Sequence, residues 1–314
     1  MARVREKIVP FGATAPAPPA PPADLATLLD HALEERWRKY RKRLKRCQKE
    51  CTEAAVHDLR VSTRRLLATL NVTHSVVPDG VPKKLPRRLK KRFKLLSPLR
   101  DAQVQLGQLE KLAPAHPGVE PFRQKLAKRE RKLIRGIGKE LRAAKIAKLK
   151  KLVLGVRVRV HADAVLQSDP SLASRIANAA FLEVRDCQRH MRFDDPASIH
   201  RMRIAFKKFR YTAETLRPLL PLTDAQYGEM NAYQTLMGDI QDVEVLKAGL
   251  ESFVRAKKKR RRDAALREAI GALAQRREEI TRAFLASVDK VNTFWTRRSV
   301  EPSASVSQEK QRTV

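Results

Sequence analysis

Two stretches of the chain follow one cationic pattern in helix-forming sequence: His57-Asp-Leu-Arg60-Val-Ser-Thr-Arg64-Arg65 and His200-Arg-Met-Arg203-Ile-Ala-Phe-Lys207-Lys208. A helix turns about 100° per residue, so positions 0, 3 and 7 fall on one face. His57, Arg60 and Arg64 therefore make one cationic stripe, and His200, Arg203 and Lys207 a second. The opposite face of the first helix carries Leu59, Thr63, Leu66 and Leu70, at alternating spacings of 4, 3 and 4. Met202, Phe206, Phe209 and Ala213 hold the same phases in the second. Each helix can bury one side in a bundle and keep its cations on the other. Few folds other than a duplicated helical scaffold satisfy both demands twice.

The duplication extends past these helices. The two histidines stand 143 positions apart (57 to 200), and two Asp motifs, Leu99-Arg-Asp101-Ala-Gln-Val104 and Ile240-Gln-Asp242-Val-Glu-Val245, stand 141 apart (101 to 242). Leu126-Ala-Lys-Arg129 and Leu273-Ala-Gln-Arg276 are offset by 147 (126 to 273). Such small drifts correspond to loop changes between two copies of one unit. Pro and Gly clusters at 78–82, 114–121, 168–170, 194–196 and 218–221 divide the chain into helical segments. These are roughly 24–50, 54–77, 83–112, 120–166, 171–192, 197–217, 224–256 and 260–296. Val153 to Val160 is the one strand-flavoured run, and its Lys/Ala/Leu-rich flanks place it inside the long fourth helix. The expectation is an all-α fold of two four-helix bundle halves, about 24–166 and 171–296. A disordered Pro/Ala-rich segment (1–23) precedes them, and a disordered polar tail (297–314) follows.

Charge sets the class of partner. Lys+Arg number 67 against 34 Asp+Glu, a formal net charge of +33. That excess favours polyanions: nucleic acid, polyphosphate or an anionic surface. A 42% hydrophobic content nevertheless supports a core. No run approaches the roughly 20 apolar residues of a membrane span, and no apolar signal core opens the chain, so a cytoplasmic protein without a membrane partner is expected. Cys47, Cys51 and Cys187 are an odd count that does not make a disulfide framework. Cys47 and Cys51, four apart with no histidine near, read as two small thiols on a helix rather than metal ligands. No metal or other cofactor is expected.

The ordered set His57-x-x-Arg60-Val61-x-x-Arg64-Arg65, Arg100-Asp101-x-x-Val104, His200-x-x-Arg203-Ile204-x-x-Lys207-Lys208-x-Arg210-Tyr211 and Leu236-x-Gly238-x-x-Gln241-Asp242 resembles the CHAD (conserved histidine α-helical) domain family. The resemblance covers about 24–296. It implies pseudo-two-fold symmetry between the halves, and a central basic channel that binds inorganic polyphosphate, in some members at polyphosphate granules. Leu67 departs from the pattern where an Arg is frequent, whereas Arg210 keeps it in the second copy, so the second wall is expected to be the more cationic. Gln241 stands in place of a frequent His.

Polyphosphate offers no bases to read, so its binder needs many donors along a groove. Arg forks two N–H groups onto phosphate oxygens, Lys adds a point charge, and protonated His adds a donor. The candidate contacts are His57, Arg60, Arg64, Arg65, His200, Arg203, Lys207, Lys208, Arg210 and Tyr211, with packing an equal alternative for Tyr211. Lys90, Lys94 and Arg100 are additional candidates. Asp101 and Asp242 are expected behind the arginines, holding guanidinium rotamers, with a helix-stabilising ion pair as the alternative. The run Lys257 to Arg262 reads as a solvated loop or helix end, or as a recruiter of nucleic acid or granule components. No Walker-type loop and no Glu-x-Glu-x-Lys signature is present, so a non-enzymatic polyphosphate binder that targets or organises granules is expected. The alternative is a nucleoid- or RNA-associated protein, although an aromatic stacking array is lacking.

Overall fold

The computed structural model describes residues 24–144, 146–192, 195–256 and 263–296. The leading segment 1–23, the tail 297–314 and the Lys257–Arg262 run lie outside them. The described residues contain helices and no strands. Ten helices have 12 or more residues: α1 (Leu25–Lys49), α2 (Glu53–Val76), α3 (Lys84–Leu95), α4 (Ser97–Leu112), α5 (Glu120–Arg142), α6 (Ala147–His161), α8 (Leu172–Arg189), α9 (Pro196–Leu216), α10 (Asp224–Arg255) and α11 (Asp263–Ala286). Between them α7 (Ala164–Ser168) makes a single turn.

Local chemistry sets the helix starts that phase the stripes. Thr52 accepts the N–H of Ala55 and caps α2 five residues before His57. Thr223 and Gln226 form a reciprocal capping box at α10. The Leu59/Thr63/Leu66/Leu70 and Met202/Phe206/Phe209/Ala213 seams are all buried, as their spacing predicts. In the second, Phe206 packs against Phe209, Tyr233 and Phe294, with ring centroids 4.9–6.2 Å apart. Burying a side chain of that size contributes about 1.5–3 kcal/mol, and such clusters fix one orientation of α9 on α10.

Helices α1 and α2 pack as a pair, as do α8 and α9, α4 and α5, and α10 and α11. The stripe-bearing helices α2 and α9 touch directly, with the buried hydroxyls of Thr69 and Thr215 3.5 Å apart at the contact. Small side chains there let the two backbones approach. Helix α4 packs on α10, which places the Asp101 and Asp242 motifs beside this junction.

Two segment expectations need correction. The 83–112 segment is two helices, because Pro98 in the first turn of α4 cannot continue the hydrogen-bond ladder of α3 and Leu96 serves both ends. The 120–166 segment is three. Its first break falls between Arg142 and Ala147 with no Gly or Pro to announce it, and it lets both α5 and α6 pack on α1. The Val153–Val160 run is helical, within α6. An even division into four plus four therefore does not describe the chain: seven helices precede Asp169 and four follow it among the described residues. Cys51 lies past the end of α1, in the turn before α2, and its Sγ is 3.8 Å from that of buried Cys47.

Candidate functional site

Where α2 meets α9, the two stripes converge. Arg64 donates from Nη1 to the Tyr211 hydroxyl at 3.0 Å, joining the first stripe to the second helix. The Arg60 guanidinium lies 4.1 Å from the centre of the Phe93 ring and donates to the Phe93 carbonyl at 3.1 Å and the Ser97 hydroxyl at 2.8 Å. Arg64 shares the same ring from 5.6 Å. A cation over an aromatic face gains quadrupole attraction without losing its charge. Both arginines are thus aimed by neutral partners, and their charge stays available.

The second stripe is crowded. Burial, followed by the neighbouring charges of Arg203 and Arg64, holds the Lys207 ammonium at about 7, far below the usual lysine range. Burial and Arg64 likewise bring Arg60 to about 10. Burial lowers Arg203 too, and its Nε is buried without a hydrogen-bond partner. Across from these cations stand Asp101 on α4 and Asp242 on α10. Neither forms a direct ion pair with a described residue, and burial pushes both carboxyls up despite the Arg60 charge near the first and Arg203 near the second. The expected clamp on a guanidinium rotamer is therefore absent: the aspartates act at a distance, as partial neutralisers. Arg100 reaches the same cluster electrostatically while donating to Glu53 at 2.8 Å.

The two histidines sit at the ends of the stripes and are exposed. Burial and Arg100 lower the pKa of His57. His200 Nδ1 is 2.7 Å from Gln241 Oε1, an amide oxygen that accepts a hydrogen bond when Nδ1 carries a proton. His200 and Arg203 line a cavity of about 320 Å³ between α9, α10 and α11.

Five expected contacts point elsewhere. Arg210 is only 7% exposed; its Nε donates to Gln234 and its Nη1 to Glu214 and Asn231, so it braces α9 on α10 and the expected stronger second wall is not built from it. Arg65 turns to the other flank of α2, 3.6 Å from Glu214. Lys208 turns to α8 and pairs with Glu183 at 2.5 Å. Lys94 lines a cavity with Glu140 and Leu149, against α5 and α6, while Lys90 faces the α2–α8 side. Phase explains two of them: at about 100° per residue Arg65 and Lys208 lie about 80° or more from every member of their stripes, whereas Arg210 lies about 20° from Arg203 and is turned inward by its partners Gln234, Glu214 and Asn231. Tyr211 is a buried ring whose hydroxyl positions Arg64.

A further cationic surface lies between α1 and α2. Arg36, Lys39 and Arg43 of α1 repeat the 0, 3, 7 spacing. With His57 and Arg65 they line an α1–α2 cleft of about 390 Å³. Burial and Arg65 depress the Arg36 guanidinium. No second copy of this stripe draws the eye.

Among the described residues there is no His/Cys/Asp/Glu group able to hold a metal ion, and no helix long and apolar enough to cross a membrane. Chemically, the arrangement is a set of fixed, desolvated, mutually repelling cations, which an anion of several charges would relieve.

Comparison with known proteins agrees with this architecture. The fold matches the crystal structure of the CHAD domain from the plant Ricinus communis with a TM-score of 0.67 and 21% identity, over 89% of this chain and 97% of that one. It also matches PptA from Streptomyces chartreusis with a TM-score of 0.56 and 16% identity, over 85% and 99%. A search of curated proteins gives no match. The family description "CHAD domain" matches residues 31–251, well over half of the sequence and the stretch that carries both stripes and both aspartates, and the chain belongs to the CHAD domain family.

Proposed function

We propose that this chain binds inorganic polyphosphate, without transforming it, at the junction of α2 and α9. The observation that carries the reading is the crowding of Arg60, Arg64, Arg203 and Lys207, with Lys207 held at about 7. Such a cluster costs free energy when empty and recovers it when phosphates enter, whereas an ordinary solvated helix face has nothing to recover. His57, His200 and Arg100 extend the contact at its ends. Asp101 and Asp242 keep the empty cluster tolerable without pairing with it.

The pairing of α1 with α2 and of α8 with α9, together with that of α4 with α5 and of α10 with α11, supports a duplicated domain spanning 24–296. On this reading the cluster is part of a basic channel between pseudo-two-fold halves, and granule targeting follows from polyphosphate affinity in a cytoplasmic protein. Binding is dominated by counterion release and weakens steeply with salt.

The test is competition among long-chain polyphosphate, DNA, RNA and heparin at several salt concentrations. Polyphosphate is expected to win per phosphate. DNA competing equally would return the protein to the general nucleic-acid binders. Replacing Arg60, Arg64, Arg203 and Lys207 by Glu is expected to abolish binding in a folded protein. Retained binding would move the site to the α1–α2 cleft.

A further inference from the structure

Between α2 and α8 runs a groove of about 550 Å³, ended by α3 and floored by Tyr211 and Thr212 of α9. Leu67, Ala68 and Val72 form one wall, and Ile176, Ala179 and Ala180 the other. Inorganic polyphosphate has no apolar surface to place against such walls. Yet cations rim the groove: Lys90 is exposed and has no ion-pair partner among the described residues, and Arg64 enters from the α2 side. Glu183 is the one acid in the lining, and it is engaged by Lys208. A largely apolar cleft of this size with a few convergent polar groups is the usual form of a small-molecule site.

We infer that this groove binds a single-chain amphiphile, its alkyl tail between α2 and α8 and its anionic head, phosphate or carboxylate, on Lys90 and Arg64. Charge complementarity sets the direction: the tail lies along the Leu67 and Ile176 walls and the head at the cationic rim. Arg64 belongs to both places, since its hydrogen bond to Tyr211 stands at the groove floor while its charge acts on Lys207. A bound amphiphile therefore takes an arginine away from the polyanion cluster, and the two ligands oppose each other. That last coupling rests on the proposed polyphosphate site; the groove itself does not.

Titrating the full chain with n-hexyl, n-octyl and n-decyl phosphate below their micelle thresholds tests the tail directly by calorimetry. Burial of each added methylene is expected to tighten binding about three- to fourfold. Decanoate against decyl phosphate separates the two head groups. Affinity independent of chain length, or equal to that of inorganic phosphate, would reduce the groove to ion adsorption at its rim and overturn the inference. So would binding seen only with vesicles carrying the same alkyl phosphate.

Ala179→Trp, at an exposed position of α8, fills the groove from outside. It is expected to erase the chain-length slope and leave polyphosphate affinity within about twofold. An unchanged slope in this variant, or in Leu67→Arg, places the tail elsewhere. Because the alkyl titration contains no polyphosphate, failure of the polyphosphate reading alone would leave the slope intact.

Discussion

If Lys207 is a phosphate contact, polyphosphate affinity must depend on pH above neutrality, and its sign is fixed by the structure. In the empty protein the ammonium is held at about 7 by burial and by Arg203 and Arg64. A phosphate beside it restores the charged form, raising the bound value toward an ordinary lysine at about 10.4. Below pH 7 both states are protonated and this residue adds no pH dependence. Above pH 7 the empty form is neutral and the bound form charged, so binding takes up a proton and weakens as pH rises. The fall approaches tenfold per pH unit, about 1.4 kcal/mol, and totals roughly a hundredfold between pH 6 and 9. Calorimetry in buffers of different ionisation enthalpy would count close to one proton taken up at pH 8 and almost none at pH 6. Lys207→Arg, which stays charged, should flatten the profile above neutrality. A flat wild-type profile, or no proton uptake at pH 8, would refute the claim that the ligand sits against Lys207.

The same burial implies a trade between stability and binding: Lys207→Met should stabilise the empty protein by about 1–3 kcal/mol at pH 7, read as a higher Tm, while losing the extra stabilisation that polyphosphate gives the wild type. Tyr211→Phe removes the hydrogen bond that aims Arg64, so affinity should drop about fivefold, near 1 kcal/mol, with the salt slope unchanged because no charge is lost. Arg203→Ala should reduce the salt slope by somewhat under one unit, whereas Arg210→Ala should lower Tm and leave the slope alone. A slope loss in Arg210→Ala would put that residue back in contact with the ligand. Phe206→Ala should cost about 3–5 kcal/mol in denaturant unfolding, through the aromatic cluster that holds α9 on α10.

The sequence announces the helices wherever burial has a period. Leu59 to Leu70 and Met202 to Ala213 are legible because one face of each helix meets only apolar neighbours. The end of α5 at Arg142 is silent, since a helix can end without Gly or Pro when tertiary packing favours it. Within the site, the residues on the strict 0, 3, 7 phase, namely His57, Arg60, Arg64, His200, Arg203 and Lys207, stay on the accessible or half-buried side of their helices. The flanking cations Arg65, Lys208 and Arg210 do not follow them. Their direction is decided by Glu214, Glu183, Gln234 and Asn231, which come from other places in the chain and give no local signal. The role of Gln241 was equally hidden, because its partner His200 is 41 residues away.

The Phe93 ring beneath Arg60 bears on how quickly a polyanion can be captured. A free arginine side chain surrenders up to about 2 kcal/mol of rotamer freedom when it is ordered. Arg60 has already surrendered it during folding, locked by a ring face, a carbonyl and a hydroxyl from the joint between α3 and α4. An incoming chain therefore finds this donor standing still, and each encounter is decided by the chain's own wandering rather than by the protein's.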